Sequence, residues 1–216
     1  MSGRVGLLGG TFDPIHLGHL AAAAAAESEL ALDQVRFIPS SVPPHRPDTP
    51  RASGYHRLRM TALAVAGHAG WQASDVELER GGASYTCDTL ATLRRAEPAA
   101  QFFFITGADA FAEIAAWRHY PGVLDQAHFV VIARTGSSFD GLKARYPRLM
   151  PRMVEVNDRP ATSGTTPASP SIFLINAATP DVSSTEVRRR ASAGEPLAGL
   201  VPDAVADYIA EHRLYA

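Results

Sequence analysis

Five short runs of the chain are apolar at nearly every position: Val5 to Leu8, Val35 to Pro39, Phe102 to Thr106, Phe129 to Ala133 and Ile172 to Ile175. Their length and their β-branched and aromatic content predict strands buried on both faces. Between them, apolar positions recur at helical spacing over His16 to Leu32, Tyr55 to Gly67, Thr86 to Ala96, Ala108 to Ala116 and Leu142 to Tyr146. That alternation predicts an α/β fold, a doubly wound parallel sheet with right-handed crossovers. Ligands of such sheets bind beyond the carboxyl ends of the strands where the winding reverses, so the loops after strands are where chemistry is expected.

Two segments interrupt the pattern. Ser41 to Arg51 is a proline-rich loop carrying His45, Arg46 and Arg51, and residues 157–171 are rich in Pro, Thr, Ser and Gly and read as a flexible insert. Two further helical patterns follow, Ser184 to Ala193 and Pro202 to Arg213, the second starting on a proline and spacing Val201, Val205, Tyr208 and Ile209 along one face. They are expected to close a single domain spanning 1–216.

Composition narrows the function classes. A chain of 216 residues with 46% hydrophobic content can bury a full core. Its formal net charge of -2 provides no positive field for nucleic acid. The single cysteine, Cys87, excludes a disulfide framework and a thiolate zinc cluster, and fits a reducing compartment. No apolar run approaches the length of a membrane span, and the start shows no signal peptide, so a cytoplasmic location is expected. Lys143 is the only lysine and lies in Gly-Leu-Lys-Ala, which removes the phosphate-loop reading. If the protein handles phosphate, arginine, histidine and backbone N–H groups must do it.

Gly9-Gly10-Thr11-Phe12-Asp13-Pro14-Ile15-His16-Leu17-Gly18-His19 follows the first strand and enters a long alanine-rich helix. Paired glycines let a ligand approach the backbone, and a helix N-terminus offers unpaired N–H groups: an anion site in outline. His16 and His19, three apart, are expected on one face of the first helical turn with Gly18 leaving room beside them. A metal pair is the competing reading, but no third ligand stands at recognisable spacing. Ordinary helix-start histidines are the bland one. Near the other end, Val182-Ser183-Ser184-Thr185-Glu186-Val187-Arg188 opens a helix after the last strand. Its hydroxyls and N–H groups can bind phosphate oxygens or simply cap the helix. A dinucleotide-binding dehydrogenase is excluded, because G-x-G-x-x-G spacing is missing and the second strand ends without an acidic residue.

The first of these motifs resembles the signature of the HxGH nucleotidylyltransferases, and in this version that of the nicotinate-mononucleotide adenylyltransferases. The resemblance implies a Rossmann-like nucleotidylyltransferase fold with C-terminal helices. It implies that Gly9, Gly10, Thr11 and Phe12 bind substrate, that His16 and His19 act on the reacting phosphates, and that Ser183, Ser184, Thr185 and Arg188 hold the triphosphate of ATP. Four elements between them match as well. Pro43-Pro44-His45-Arg46 resembles a phosphate-contacting loop, with arginine where the family commonly has lysine. Ser84-Tyr85-Thr86-Cys87-Asp88-Thr89-Leu90 resembles the element near the pyridine nucleotide, with Thr86 toward nicotinate and Cys87 a small buried apolar residue. Gly107 and Asp109 match a Gly-x-Asp beside adenosine, and a helix N-cap is the plainer role for Asp109, one that could coexist with the first. Trp117 is expected to stack on the pyridine ring, Arg118 stands where the family often has Tyr or His, and Arg134 matches an arginine near nucleotide.

By that resemblance the reaction is in-line attack of the nicotinate mononucleotide phosphate on the α-phosphorus of ATP, giving nicotinate adenine dinucleotide and pyrophosphate in NAD biosynthesis. Mg²⁺ would arrive with ATP. Three alternatives stay open at this point: nicotinamide mononucleotide as acceptor, phosphopantetheine as acceptor, and a nucleotide-binding regulator without turnover. Oligomeric state is not legible in the sequence.

Overall fold

The computed structural model describes residues 3–44, 50–134, 136–156, 167 and 169–216. Seven strands, β1 (Arg4–Gly10), β2 (Gln34–Pro39), β3 (Trp71–Ala73), β4 (Gln101–Gly107), β5 (His128–Arg134), β6 (Met153–Glu155) and β7 (Ile172–Ala177), form one sheet in the order β3-β2-β1-β4-β5-β7-β6. The helices are α1 (Leu17–Leu30), α2 (Gly54–Val65), α3 (Val76–Arg80), α4 (Thr86–Ala96), α5 (Ala108–Phe111), α6 (Asp140–Arg145), α7 (Ser184–Ser192) and α8 (Asp203–Glu211), with short 3₁₀ turns between some of them. Strand order runs outward in one direction from β1 and in the other from β4, so the winding reverses at the β1/β4 pair. This is the doubly wound α/β sheet expected from the alternating pattern. No helix among the described residues is long and apolar enough to cross a membrane.

The chain divides into two compact units, one comprising Met1–Leu8, Ala22–Val35 and Tyr85–Ala178, the other Gly9–Ala21, Arg36–Ser84 and Thr179–Ala216. In the first, β1 pairs parallel with β4, β4 with β5, β5 with β7 and β6 with β7. Phe102 to Ile105, Phe129 to Ala133 and Ile172 to Ile175 are buried without a break, because helices cover both faces of a parallel sheet and leave no polar side to alternate with. A Cβ at Gly6 in β1 would lie 2.9 Å from a Leu32 methyl and 3.1 Å from an Ile105 methyl, so a larger residue there would force the neighbouring side chains to shift. In the second unit α2 packs on α8, burying Met60, Ala64 and Val65 from one helix and Val205 and Ile209 from the other. Ser53 caps α2 by accepting from the His56 N–H.

Some expected elements differ. The helix expected over Ala108 to Ala116 is α5 followed by a 3₁₀ turn at Ile114–Ala116. The Tyr146 hydroxyl donates to the Ala112 carbonyl at 2.6 Å, engaging the acceptor that a continuous helix would offer to Ala116, and Ala116 bonds to Glu113 instead. Strands β3 and β6 were not expected; with three residues each they are too short to show a period. The insert expected at 157–171 falls outside the described residues except for 167 and 169–171.

Candidate active site

The turn after β1 is built by a bulky residue in a glycine-like conformation. Phe12 has φ +47, in the left-handed region that a bulky residue rarely adopts, and is 1% exposed. Its ring lies over Gly10, where a Cβ would come within 2.6 Å of the ring edge. Gly10 is therefore fixed by the approach of Phe12 and not by its own φ. Asp13 is buried, and its carboxylate accepts from the Arg51 N–H (2.8 Å), the Ala52 N–H (3.1 Å) and the Tyr215 hydroxyl (2.8 Å). Burial and the neighbouring Asp13 push the Tyr215 phenol up, so it stays protonated and donates.

His16 lies one residue before α1, with only 8% of its surface exposed. The His16 N–H donates to His19 Nδ1 at 3.2 Å, and the two imidazoles stack with centroids 3.7 Å apart and planes 24° from parallel. Phe12 meets His19 edge-on at 4.9 Å. Because His19 Nδ1 accepts, a neutral His19 carries its proton on Nε2. Burial lowers the His16 pKa to about 4, against a smaller upward pull from its own backbone, so His16 is neutral at pH 7. Two stacked imidazolium rings would repel; here one of the pair stays uncharged. His16 Nδ1 is buried and has no hydrogen-bond partner among the described residues. A Cβ on Gly18 would lie 3.1 Å from His16 Cε1 and Nδ1, which explains the glycine between the histidines.

The helix start offers fewer N–H groups than the sequence suggests. The Leu17 N–H donates to Leu200 O at 2.9 Å and that of His19 to His16 O at 2.9 Å, leaving that of Gly18 without an acceptor among the described residues. The serine-rich segment is tied into the same turn. Ser183 caps α7 by accepting from the Glu186 N–H, and Ser184 Oγ donates to Pro14 O at 2.9 Å. Arg188 donates from Nη1 to Asp13 O at 2.7 Å and from Nη2 to Thr185 Oγ1 at 3.3 Å, using two of its five N–H groups. Arg189 and Arg190 pair with Glu186 and are set apart from this role. The structure thus brings together Gly10, Phe12, His16, His19, Ser184, Thr185 and Arg188, all in the second unit. His45 and Arg46 lie outside the described residues.

The remaining candidates belong to the first unit. Thr86 is the first residue of α4, directly after Tyr85. Arg118 donates to Asp88 Oδ2 at 3.2 Å, and its guanidinium lies 4.7 Å over the Tyr85 ring, so the charge beside Thr86 is already paired. Cys87 is buried and free, and burial beside Asp88 pushes its thiol up, as suits an apolar filler. Trp117 is half-buried, edge-on to Phe104 at 6.0 Å and tilted against Phe129 at 6.4 Å. Gly107 ends β4, and a side chain there would meet nothing within 4 Å. It is Gly107, not Asp109, that holds the cap position of α5; Asp109 is exposed in the first turn. Arg134 ends β5 and is also exposed.

Sequence reading missed two residues that organise the turn, Tyr215 and Arg57. Arg57 is 2% exposed, the largest fully buried side chain among the described residues, and donates to the carbonyls of Thr11 (2.7 Å), Ala52 (3.2 Å) and Ser41 (3.5 Å). A signal existed: Arg57 shares the helical face of Met60, Thr61 and Ala64, where a lone arginine among core positions needs buried acceptors. Ser84 was expected near the nucleotide; its Oγ accepts from the Ser41 N–H at 2.8 Å. Among the described residues no three His, Cys, Asp or Glu side chains are grouped to hold a metal ion.

Known proteins resemble the chain along nearly its whole length. The cytidylyltransferase-like family model matches residues 7–190. A probable nicotinate-nucleotide adenylyltransferase of Moorella thermoacetica is 41% identical over 214 residues, covering 99% of this chain and 92% of the relative. One from Herpetosiphon aurantiacus is 40% identical, covering 98% of each. Among solved structures, Plasmodium falciparum nicotinic acid mononucleotide adenylyltransferase complexed with NaAD superposes with a TM-score of 0.72 at 18% identity, covering 99% of this chain and 97% of that one, and so shares the fold. The chain belongs to the cytidylyltransferase-like family, among the nicotinate-nucleotide adenylyltransferases.

Proposed function

We propose that the chain transfers the adenylyl group of ATP to nicotinate mononucleotide, giving nicotinate adenine dinucleotide and pyrophosphate. One observation carries the reading: a stacked His16/His19 pair beside a strained glycine turn, in a chain that matches nicotinate-nucleotide adenylyltransferases over 99% of its length. A mononucleotide phosphate oxygen forms the new bond to the α-phosphorus as the bond to the β-phosphate bridging oxygen breaks. The electron pair leaves with pyrophosphate, and no covalent enzyme intermediate is needed. Catalysis is then positioning and charge stabilisation. His19, through Nε2–H, and neutral His16 donate to the reacting phosphates. Gly9, Gly10, Thr11 and Phe12 offer backbone to them, and Ser183, Ser184, Thr185 and Arg188 hold the departing pyrophosphate. His45 and Arg46, which lie outside the described residues, contribute to phosphate binding in this reading.

Thr86, Trp117 and Arg118 face the pyridine nucleotide in this reading, and Gly107, Asp109 and Arg134 the adenosine. Mg²⁺ would be supplied with ATP and would offset the phosphate charge; the buried Asp13 carboxylate, engaged by three protein donors, would not be free to hold it. Residues 1–216 work as one nucleotidylyltransferase domain in the cytoplasm, supported by a family match that takes in segments of both units.

A second acceptor, nicotinamide mononucleotide, is favoured by one observation: Asp88 already pairs the Arg118 charge that would select a carboxylate. Pyrophosphate release from Mg-ATP with either mononucleotide tests both readings. Preference for the nicotinate form is expected; equal use would mean that charge does not discriminate, and silence with both would reject adenylyl transfer to pyridine nucleotides.

A further inference from the structure

The geometry points to Arg57 as a positioning residue that aims the Phe12 N–H at the phosphate undergoing transfer. The inference rests on the adenylyl-transfer reading above. Arg57 Nη1 holds the Thr11 carbonyl at 2.7 Å on the buried side of the turn. The Thr11–Phe12 peptide is trans, so its C=O and N–H point in opposite directions, and fixing the first fixes the second. Phe12 is 1% exposed, yet its N–H donates to no acceptor among the described residues. Buried backbone N–H groups without a partner are rare, and this one belongs to the residue whose ring meets His19 edge-on, which makes it a donor for a ligand oxygen at that turn.

The same guanidinium prevents the turn from relaxing. Phe12 is held at φ +47, a strained conformation that persists only when its surroundings fix it. Arg57 does so by joining Thr11 O to Ser41 O and Ala52 O, while Asp13 is bound to the Arg51 and Ala52 N–H groups. Arg57 itself touches no substrate in this account. Without it the Thr11–Phe12 peptide is free to rotate, and the donor points elsewhere although both histidines remain.

The test compares wild type, Arg57→Lys, Arg57→Met and Phe12→phenyllactate, the last replacing the backbone N–H by an ester oxygen and keeping the ring. Steady-state kcat and KM for ATP and nicotinate mononucleotide are read together with thermal midpoints. Wild-type turnover comes first; its absence rejects the adenylyl-transfer reading, not the role of Arg57. With an active wild type, Phe12→phenyllactate and Arg57→Met should each lose about 100-fold in kcat, while KM for ATP moves less than about threefold. Arg57→Lys, which keeps a buried cation and a donor, should recover kcat to within about tenfold of wild type. Phenyllactate at 12 with kcat within about threefold of wild type would overturn the inference whatever the arginine variants do. So would a folded Arg57→Met enzyme with wild-type kcat. If Arg57→Met does not fold, the ester and lysine variants decide.

Discussion

Gly18→Ala separates stability from catalysis, because the structure makes opposite demands on that position. In the first turn of α1, alanine is the better helix former by up to about 1 kcal/mol. The glycine is not there for φ. It is there because the His16 ring lies over it: the new Cβ would stand 3.1 Å from His16 Cε1 and Nδ1, closer than ordinary contact, and the ring must retreat by a few tenths of an ångström. It cannot retreat alone, since His19 stacks on it at 3.7 Å. Misplacement of about 1 Å can cost about 100-fold in rate, so a shift of this size is expected to lower kcat by about tenfold. Stability should hold or rise, with a thermal midpoint within about 3 °C of wild type, as expected for a change of less than about 1 kcal/mol in a chain of this size. Initial rates of pyrophosphate release and thermal unfolding are measured on the same preparation. Wild-type kcat in Gly18→Ala would refute the packing argument, and a midpoint falling by more than about 6 °C would place the damage in the fold.

Three further outcomes follow from the geometry. His16 has its pKa lowered to about 4 from an unfolded value near 6.5, so its neutral form contributes stability that is complete above about pH 6.5 and lost as pH falls toward 4; buried His128 acts in the same direction in either protein, so between pH 7 and 5 wild type should lose about 2 kcal/mol more than His16→Asn by urea unfolding, and identical pH dependence in both would contradict the buried neutral ring. Tyr215→Phe removes one of three donors from the buried Asp13 carboxylate and should cost about 2 kcal/mol in urea unfolding, with no change meaning that the contact does not hold the turn. Arg118→Ala should alter the nicotinate-over-nicotinamide ratio of kcat/KM by less than about threefold because Asp88 already pairs that charge, and a loss beyond about 30-fold would show that Arg118 reads the carboxylate directly.

What was legible in the sequence is what depends on short range. The central strands announced themselves as unbroken apolar runs, since both faces of β4, β5 and β7 are covered. Both signatures could be read because each is a contiguous strand-to-helix segment. Contacts between them could not: Ser184 meets Pro14 across 170 positions and Arg188 meets Asp13 across 175, distances over which no periodic pattern carries information. Helix α5 was overextended because its break depends on Tyr146, 34 positions away from the carbonyl it engages. Arg57 was passed over for the opposite reason. It sits on an apolar face and looks like an exception to the pattern, although a buried cation with three carbonyl partners is what organises the turn.

The central claim, adenylyl transfer at the turn that carries the stacked pair, is tested most directly by His19→Ala. Its imidazole accepts from the His16 N–H and, when neutral, presents an Nε2–H donor, so its loss removes an interaction made to charge developing in transfer. Single-turnover formation of nicotinate adenine dinucleotide, alongside equilibrium binding of Mg-ATP, should show a rate lowered by about 100-fold or more with ATP affinity changed less than about threefold. A rate within about threefold of wild type, in an enzyme that binds ATP normally, would contradict the account.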